Sequence, residues 1–148
     1  MRRHQLPVKV FIDGASRGNP GPAGVGAVFM DGQGTVLAEV SRYLGETTNN
    51  VAEYLALVYA LQEAQVRGWT QLAVHSDSEL LVKQVQGDYK VRDATLRLFH
   101  ELVLNSLRTL KQFAITHVPR EQNAHADRLA GQAVNAHLRA LKHAAHAP

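Results

Sequence analysis

The sequence predicts an α/β domain with a five-stranded mixed sheet and helices on both faces. Three short strand-like runs come first, glycine- and proline-rich turns separate them, and strands alternate with helices from there on. A meander followed by strand-helix alternation implies an antiparallel hairpin extension on a parallel core, in the order β-β-β-α-β-α-α-β-α.

Val8, Val10 and Ile12 alternate with Lys9, Phe11 and Asp13, a strand running into a Gly/Pro-rich loop from Gly14 to Gly24. Val25 to Met30 and Val36 to Leu44 are the next two strands, joined through Asp31-Gly32-Gln33-Gly34, whose glycines allow a tight hairpin. Thr47, Thr48 and Asn49 are good N-caps for a largely buried helix from Val51 to Arg67, with Gly68 just past its end. Leu72 to His75 is a short apolar strand. Asp77 and Ser78 then cap a helix carrying Leu80, Leu81, Val82 and Val85, which stops at Gly87. Helical spacing of Leu96, Phe99, Leu102, Val103, Leu107 and Leu110 predicts a third helix over Ala94 to Leu110. Phe113 to Val118 alternates as the last strand, ended by Pro119, and a final helix begins at Asn123 with Ala126, Leu129, Ala130 and Ala133 on one face. The His/Ala-rich end from Ala136 has little to bury.

At 148 residues without cysteine, the chain is one domain, and thiolate metal sites, disulfides and cysteine nucleophiles are excluded. That composition fits a reducing cytoplasm. The longest apolar runs, Ala23 to Met30 and Tyr54 to Leu61, are too short for a membrane span. Arg2 and Arg3 do not open an export signal, because Pro7, Lys9 and Asp13 interrupt any apolar stretch after them. Net charge is +3 and uneven: residues 1–74 carry six basic and six acidic side chains, residues 75–148 ten and seven. A basic excess this small permits a nucleic-acid partner without identifying one.

The acids are more informative. Asp13 closes the first strand and Asp77 the fourth. A right-handed crossover lays these strands side by side and parallel, bringing their ends within about 5 Å at the sheet's carboxyl edge, where open α/β folds bind ligands. Glu53 lies in the first turn of the buried helix among Val51, Ala52, Tyr54 and Leu55, and Asp127 near the start of the last helix. Four gathered carboxylates repel one another unless a divalent cation joins them, and an all-oxygen set suits magnesium or manganese, hence phosphoryl chemistry. Taken singly, Asp13 and Asp77 also read as a turn former and a helix cap, and Asp127 as an acid opposing a helix dipole.

Four segments resemble the type 1 ribonucleases H. They are Ile12-Asp13-Gly14-Ala15-Ser16-Arg17-Gly18-Asn19-Pro20-Gly21-Pro22-Ala23-Gly24, Thr48-Asn49-Asn50-Val51-Ala52-Glu53-Tyr54, His75-Ser76-Asp77-Ser78, and Asn123-Ala124-His125-Ala126-Asp127-Arg128-Leu129-Ala130. The resemblance spans residues 8 to 134. It implies a ribonuclease H-like fold with strand order 3-2-1-4-5 and an endonuclease that cuts the RNA strand of RNA/DNA hybrids, leaving 5′-phosphate and 3′-hydroxyl ends. It also implies that Asp13, Glu53, Asp77 and Asp127 hold two Mg2+ ions, with Mn2+ as a substitute. Asp13 is then the ligand shared by both ions. Asn19 and Asn50 match minor-groove contacts, Thr48 a DNA-phosphate contact, and Gly18 and Gly21 close approaches of backbone to the RNA strand.

Glu79 stands where many relatives read a base edge with glutamine, and a carboxylate there accepts but does not donate. The short loop before Asp127 lacks the family's product-release histidine, for which Arg120 rather than His117 is the expected cationic substitute. Between Gly87 and Ala94 there is no room for an extra basic helix. Lys83, Lys90, Arg92 and Arg120 are the alternatives for phosphate contacts, with solvated surface as the other reading of each. These features resemble the compact archaeal and actinobacterial subgroup. Residues 1–134 are expected to form the catalytic domain, working as a monomer, and residues 135–148 a tail, helical or frayed, with His137, His143 and His146 solvated. The competing readings are a catalytically silent module that binds hybrid or RNA, and a phosphate-binding ATPase or kinase-like domain.

Overall fold

In the computed structural model, residues 6–145 are described. The expectations on Arg2, Arg3 and His146 lie outside them. Strands β1 (Val8–Ser16), β2 (Gly21–Met30) and β3 (Val36–Thr47) form the meander. Helix α1 (Asn49–Arg67) leads to β4 (Gln71–Ser76), α2 (Glu79–Gln86), α3 (Ala94–Leu107), β5 (Gln112–His117) and α4 (Ala124–Ala145). The sheet order is β3-β2-β1-β4-β5, with β1 parallel to β4 and β4 parallel to β5, as expected. Helix α1 packs on one face and α4 on the other, over β1, β2 and β3. Val10, Ile12, Phe29, Leu57, Leu72 and Val74 are among the fully buried side chains between them.

The differences from expectation cluster at element ends. Strand β1 runs to Ser16, not Asp13, because its ladder with β2 continues through Ser16↔Ala23. The loop between them is only Arg17 to Pro20. Helix α1 begins at Asn49 with Thr48 as its N-cap, so Glu53 lies beyond the first turn. Helix α3 ends at Leu107 instead of Leu110, and the segment after it turns back through Lys111 N–H to the Thr70 carbonyl, 2.8 Å away. A short 3-10 turn at Arg120–Gln122, not foreseen, precedes α4. In α4 the last buried residue is Val134, yet the helix continues unbroken to Ala145. No helix among the described residues is long and apolar enough to cross a membrane.

Both helices approach the sheet through glycines. A Cβ on Gly14 of β1 would lie 2.1 Å from the Ala52 carbonyl oxygen of α1. On Gly26 of β2 it would lie 2.2 Å from the Ala126 carbonyl oxygen of α4, and on Gly24 2.5 Å from that of Ala130. No side chain fits there without displacing a whole helix backbone. Gly26→Ala should therefore destabilise the protein by about 2–3 kcal/mol, as overpacked cores do. Gly131→Ala, inside α4, meets only the Arg17 side chain at 3.8 Å, and should stabilise by about 0.5–1 kcal/mol through helix propensity. Denaturant unfolding of both variants tests the contrast, and equal effects would contradict it.

Candidate active site

The β1–β4 ladder ends at Ile12↔Ser76, so Asp13 and Asp77 are each the first residue past the last rung. They face one another where the strands part. Glu53 is carried in by α1, whose close seat on Gly14 brings the Ala52-Glu53 backbone against β1. Ligand oxygens of Asp13, Glu53 and Asp77 all lie within 4.8 Å of one another. Asp127, in the first turn of α4, comes to the Asp13 carboxyl from the other side of the sheet, close enough to raise its proton affinity. All four line one cleft of about 360 Å3, together with Gly14, Asn50 and Arg120.

This arrangement is electrostatically strained. Burial, then the charge of Glu53, pushes the Asp13 carboxyl up to about 10. Burial, then the charge of Asp77, pushes Glu53 up to about 8, although a proton on Asp13 and the Gly14 N–H favour its ionised form. One Glu53 oxygen, Oε2, is buried without a hydrogen-bond partner. An orphaned, buried carboxylate oxygen on a residue whose carboxylate lies close to those of Asp13 and Asp77 is the chemistry of a cation site, and a hard divalent ion fits an all-oxygen donor set.

The expected substrate residues are distributed unevenly. Asn50 lines the cleft, and so does Arg120, the one cation among the described residues that do. His117 ends β5, exposed and away from the lining. Thr48 accepts a hydrogen bond from Val51 N–H at 3.3 Å, so it caps α1. Asn19 uses its side-chain oxygen on Asn49 N–H at 3.0 Å, while Asn49 uses its own on Ser16 N–H at 2.8 Å. The Gly-rich loop is thereby fastened to the start of α1. Gly18 has a φ of 102°, which a side chain rarely adopts. A Cβ on Gly21 would lie 2.1 Å from the Arg17 carbonyl oxygen, so the loop's own turn requires glycine there. Glu79 opens α2, 3.5 Å from the Tyr89 hydroxyl that donates to it, outside the cleft lining. Among the other candidate cations, Lys83 is 3.9 Å from Asp88, and Lys90 lines a groove between α2 and α3.

Two residues that sequence reasoning passed over organise the site. Asn49 is one. The other is Asn123, fully buried, whose side-chain nitrogen donates to the Ile12 carbonyl at 2.8 Å. Its backbone carbonyl accepts from Asp127 N–H at 3.0 Å. It thus ties the turn carrying Asp127 to the strand carrying Asp13, at the rung where β4 drops away. In sequence it is indistinguishable from an ordinary helix N-cap.

Residues 11–133 match the family model described as reverse transcriptase-like. The chain is 42% identical over 128 residues to ribonuclease HI of Halobacterium salinarum, covering 86% of this chain and 64% of that protein. The crystal structure of RNase H1 from that archaeon matches with a TM-score of 0.85 at 42% identity, covering 88% of this chain and 98% of that one. A bifunctional protein of Mycobacterium tuberculosis is 42% identical over 132 residues, 88% of this chain and 36% of its own length. LC11-RNase H1, isolated from compost and solved in complex with an RNA/DNA hybrid, matches with a TM-score of 0.85 at 43% identity over 88% of this chain and 99% of that one. This chain therefore spans less than two thirds of the length of the first two full-length relatives.

Asp13 and Glu53 stay protonated in the folded chain at pH values where the unfolded chain has ionised them, from about 4 upward. Folding then takes up protons, so without metal the stability falls as pH rises toward 8, where Glu53 ionises, and on toward 10 for Asp13. Thermal unfolding in chelator should give a lower Tm at pH 8 than at pH 5, with added Mg2+ raising Tm more at pH 8. A Tm independent of pH and Mg2+ would contradict this.

Proposed function

The chain belongs to the ribonuclease H family, and from that membership we propose that it is an endonuclease hydrolysing the RNA strand of RNA/DNA hybrids. The observation that carries the reading is the convergence of Asp13, Glu53 and Asp77, joined by Asp127, in a cleft open at the carboxyl ends of β1 and β4. A catalytically silent binding module has no need of so strained a cluster. The solved LC11-RNase H1 complex with an RNA/DNA hybrid supports the substrate class.

Under this proposal Asp13, Glu53, Asp77 and Asp127 would hold two Mg2+ ions, or Mn2+ in their place. When bound, the ions supply activation of the attacking water and neutralise charge at the departing 3′-oxygen. The protein's own part is positioning. Asn123 and the Gly14 and Gly26 contacts hold the carboxylates in place before substrate arrives, so little reorganisation accompanies the reaction. Asn50 and the loop bearing Gly18, Asn19 and Gly21 present polar edges and bare backbone to the minor groove, where RNA differs from DNA by its 2′-hydroxyl. Thr48 fixes the start of α1 beside a strand phosphate. Glu79 receives the Tyr89 hydroxyl and so offers the hybrid an acceptor held from outside the cleft. Arg120, exposed at the rim, attracts the scissile phosphate and, moving with its short turn, assists release of the 5′-phosphate product. The products are 5′-phosphate and 3′-hydroxyl ends. Residues 1–134 are the catalytic unit and residues 135–148 an appended tail. A cysteine-free chain suits the cytoplasm, where we place it as a monomer.

A labelled RNA/DNA hybrid, a plain DNA duplex and ATP, each with and without Mg2+ or Mn2+, test the assignment. Metal-dependent cutting confined to the RNA strand is the expected result, and Asp13→Asn should reduce it by about a thousandfold or more while keeping the fold. Cutting of the DNA duplex or ATP alone, or an Asp13→Asn protein as fast as the parent, would overturn it. Arg120→Ala should lower kcat more than it raises KM, and an unchanged kcat would remove Arg120 from product release.

A further inference from the structure

A second groove, larger than the carboxylate cleft, lies between the free edge strand β3 and α4, with a volume of about 840 Å3. Ser41, Arg42 and Tyr43 of β3 and Gln132, His137 and Arg139 of α4 line it, and no acidic side chain does; the pleat turns the Arg42 side chain to the other face of the sheet, beside Tyr59 and Glu63 of α1, so Arg139 supplies the guanidinium of the groove. Tyr43 and His137 stack nearly parallel, ring centroids 3.7 Å apart at 10°. A cationic groove floored by a flat aromatic stack has the composition of a single-strand nucleic-acid site, in which bases lie on rings and phosphates meet guanidinium groups.

Its placement connects it to the cleft. In the β2–β3 register Tyr43 stands opposite Gly24, three residues beyond Gly21, where the Gly-rich loop ends. Arg17, in that loop, reaches α4 with a hydrogen bond from Nη2 to the Gly131 carbonyl at 3.4 Å, immediately before Gln132 of the groove. After Asp127, α4 carries Arg128, Arg139 and Lys142 and not one acid through Ala145. Those three charges equal the whole net charge of the chain, +3. Solvated surface charge is normally interspersed with both signs. Here one sign runs along one helix, from the active-site end to the exposed tail, past an aromatic stack.

We propose that the Tyr43, His137 and Arg139 groove binds unpaired nucleotides that continue from an RNA/DNA hybrid held in the cleft. The proposal rests on the hybrid-cleaving reading above and extends it. The enzyme then prefers hybrids bordered by single strands over blunt ones. It also gives the tail of α4, with its exposed Arg139 and half-buried His137, a role in substrate choice.

The test compares a blunt hybrid with the same hybrid carrying about six unpaired nucleotides, enough to cover a site of this kind, at each of its ends in turn. The parent should bind at least one tailed hybrid about tenfold more tightly than the blunt one, the worth of one stacked base. The double variant Tyr43→Ser/Arg139→Gln should lose that gain and cut the blunt hybrid with unchanged kcat and KM. The dependence of tailed binding on salt should flatten by about 0.7 in log-log slope, for one lost single-strand phosphate contact. No gain from any tail, or a gain that survives in the double variant, overturns the proposal. Binding of a labelled single-stranded oligouridylate, which needs no cleavage, separates the two readings. If the parent cuts no hybrid yet binds this probe about tenfold more tightly than the double variant, the cleavage reading fails and the groove stands. If parent and variant bind it equally, the groove fails.

Discussion

The backbone of α1 touches the backbone of β1 at Gly14, where even a methyl group would overlap the Ala52 carbonyl, and this contact sets the distance between Asp13 and Glu53. Any other residue at Gly14 would lift the helix and separate the two acids. The same device works on the other face, where Gly24 and Gly26 seat α4 and bring Asp127 to Asp13. Close packing of a helix on a sheet ordinarily serves the core. Here it also forces like charges together, and the proton affinities of Asp13 and Glu53 rise accordingly. The energy that holds the acids in place comes from the apolar core between α1 and the sheet, including Ile12, Leu57 and Val74. A divalent cation bound among these carboxylates would relieve the repulsion.

Much of this was legible in the sequence because the signals are local. Alternation marked β1, the Thr48 and Gly68 caps bounded α1, and strand followed by acid placed Asp13 and Asp77 at one edge of the sheet. What remained hidden depends on contacts far apart in the chain. The continuation of β1 to Ser16 rests on pairing with Ala23 through residues that read as a Gly/Pro-rich loop. The buried clamp of Asn123 on Ile12 joins positions 111 residues apart. Asn19 read as a substrate contact, but its side-chain oxygen is already engaged by Asn49 N–H, which gives it a part in shaping the loop as well. Gly21 read as an approach for substrate backbone, yet the Arg17 carbonyl alone demands it.

Charge is partitioned along the molecule as tightly as hydrophobicity. The acids that matter gather where β1 and β4 part, and the uncompensated bases gather on α4 beyond Asp127. One helix therefore contributes a cation ligand candidate at its first turn and an anion-attracting flank along the rest. A small net charge concealed this division, because a sum over the chain cancels an acidic centre against a basic edge.

The central claim is that the fold imposes close approach on carboxylates that would otherwise separate. Carbon-13 NMR of the side-chain carboxyls, titrated from pH 3 to 10 without divalent ions and again with Mg2+, reads that directly. The account predicts that without metal Asp13 and Glu53 titrate far above the ordinary carboxylate range, Asp13 last, and that Mg2+ brings both down together. Two carboxyls titrating near 4, with or without Mg2+, would contradict it.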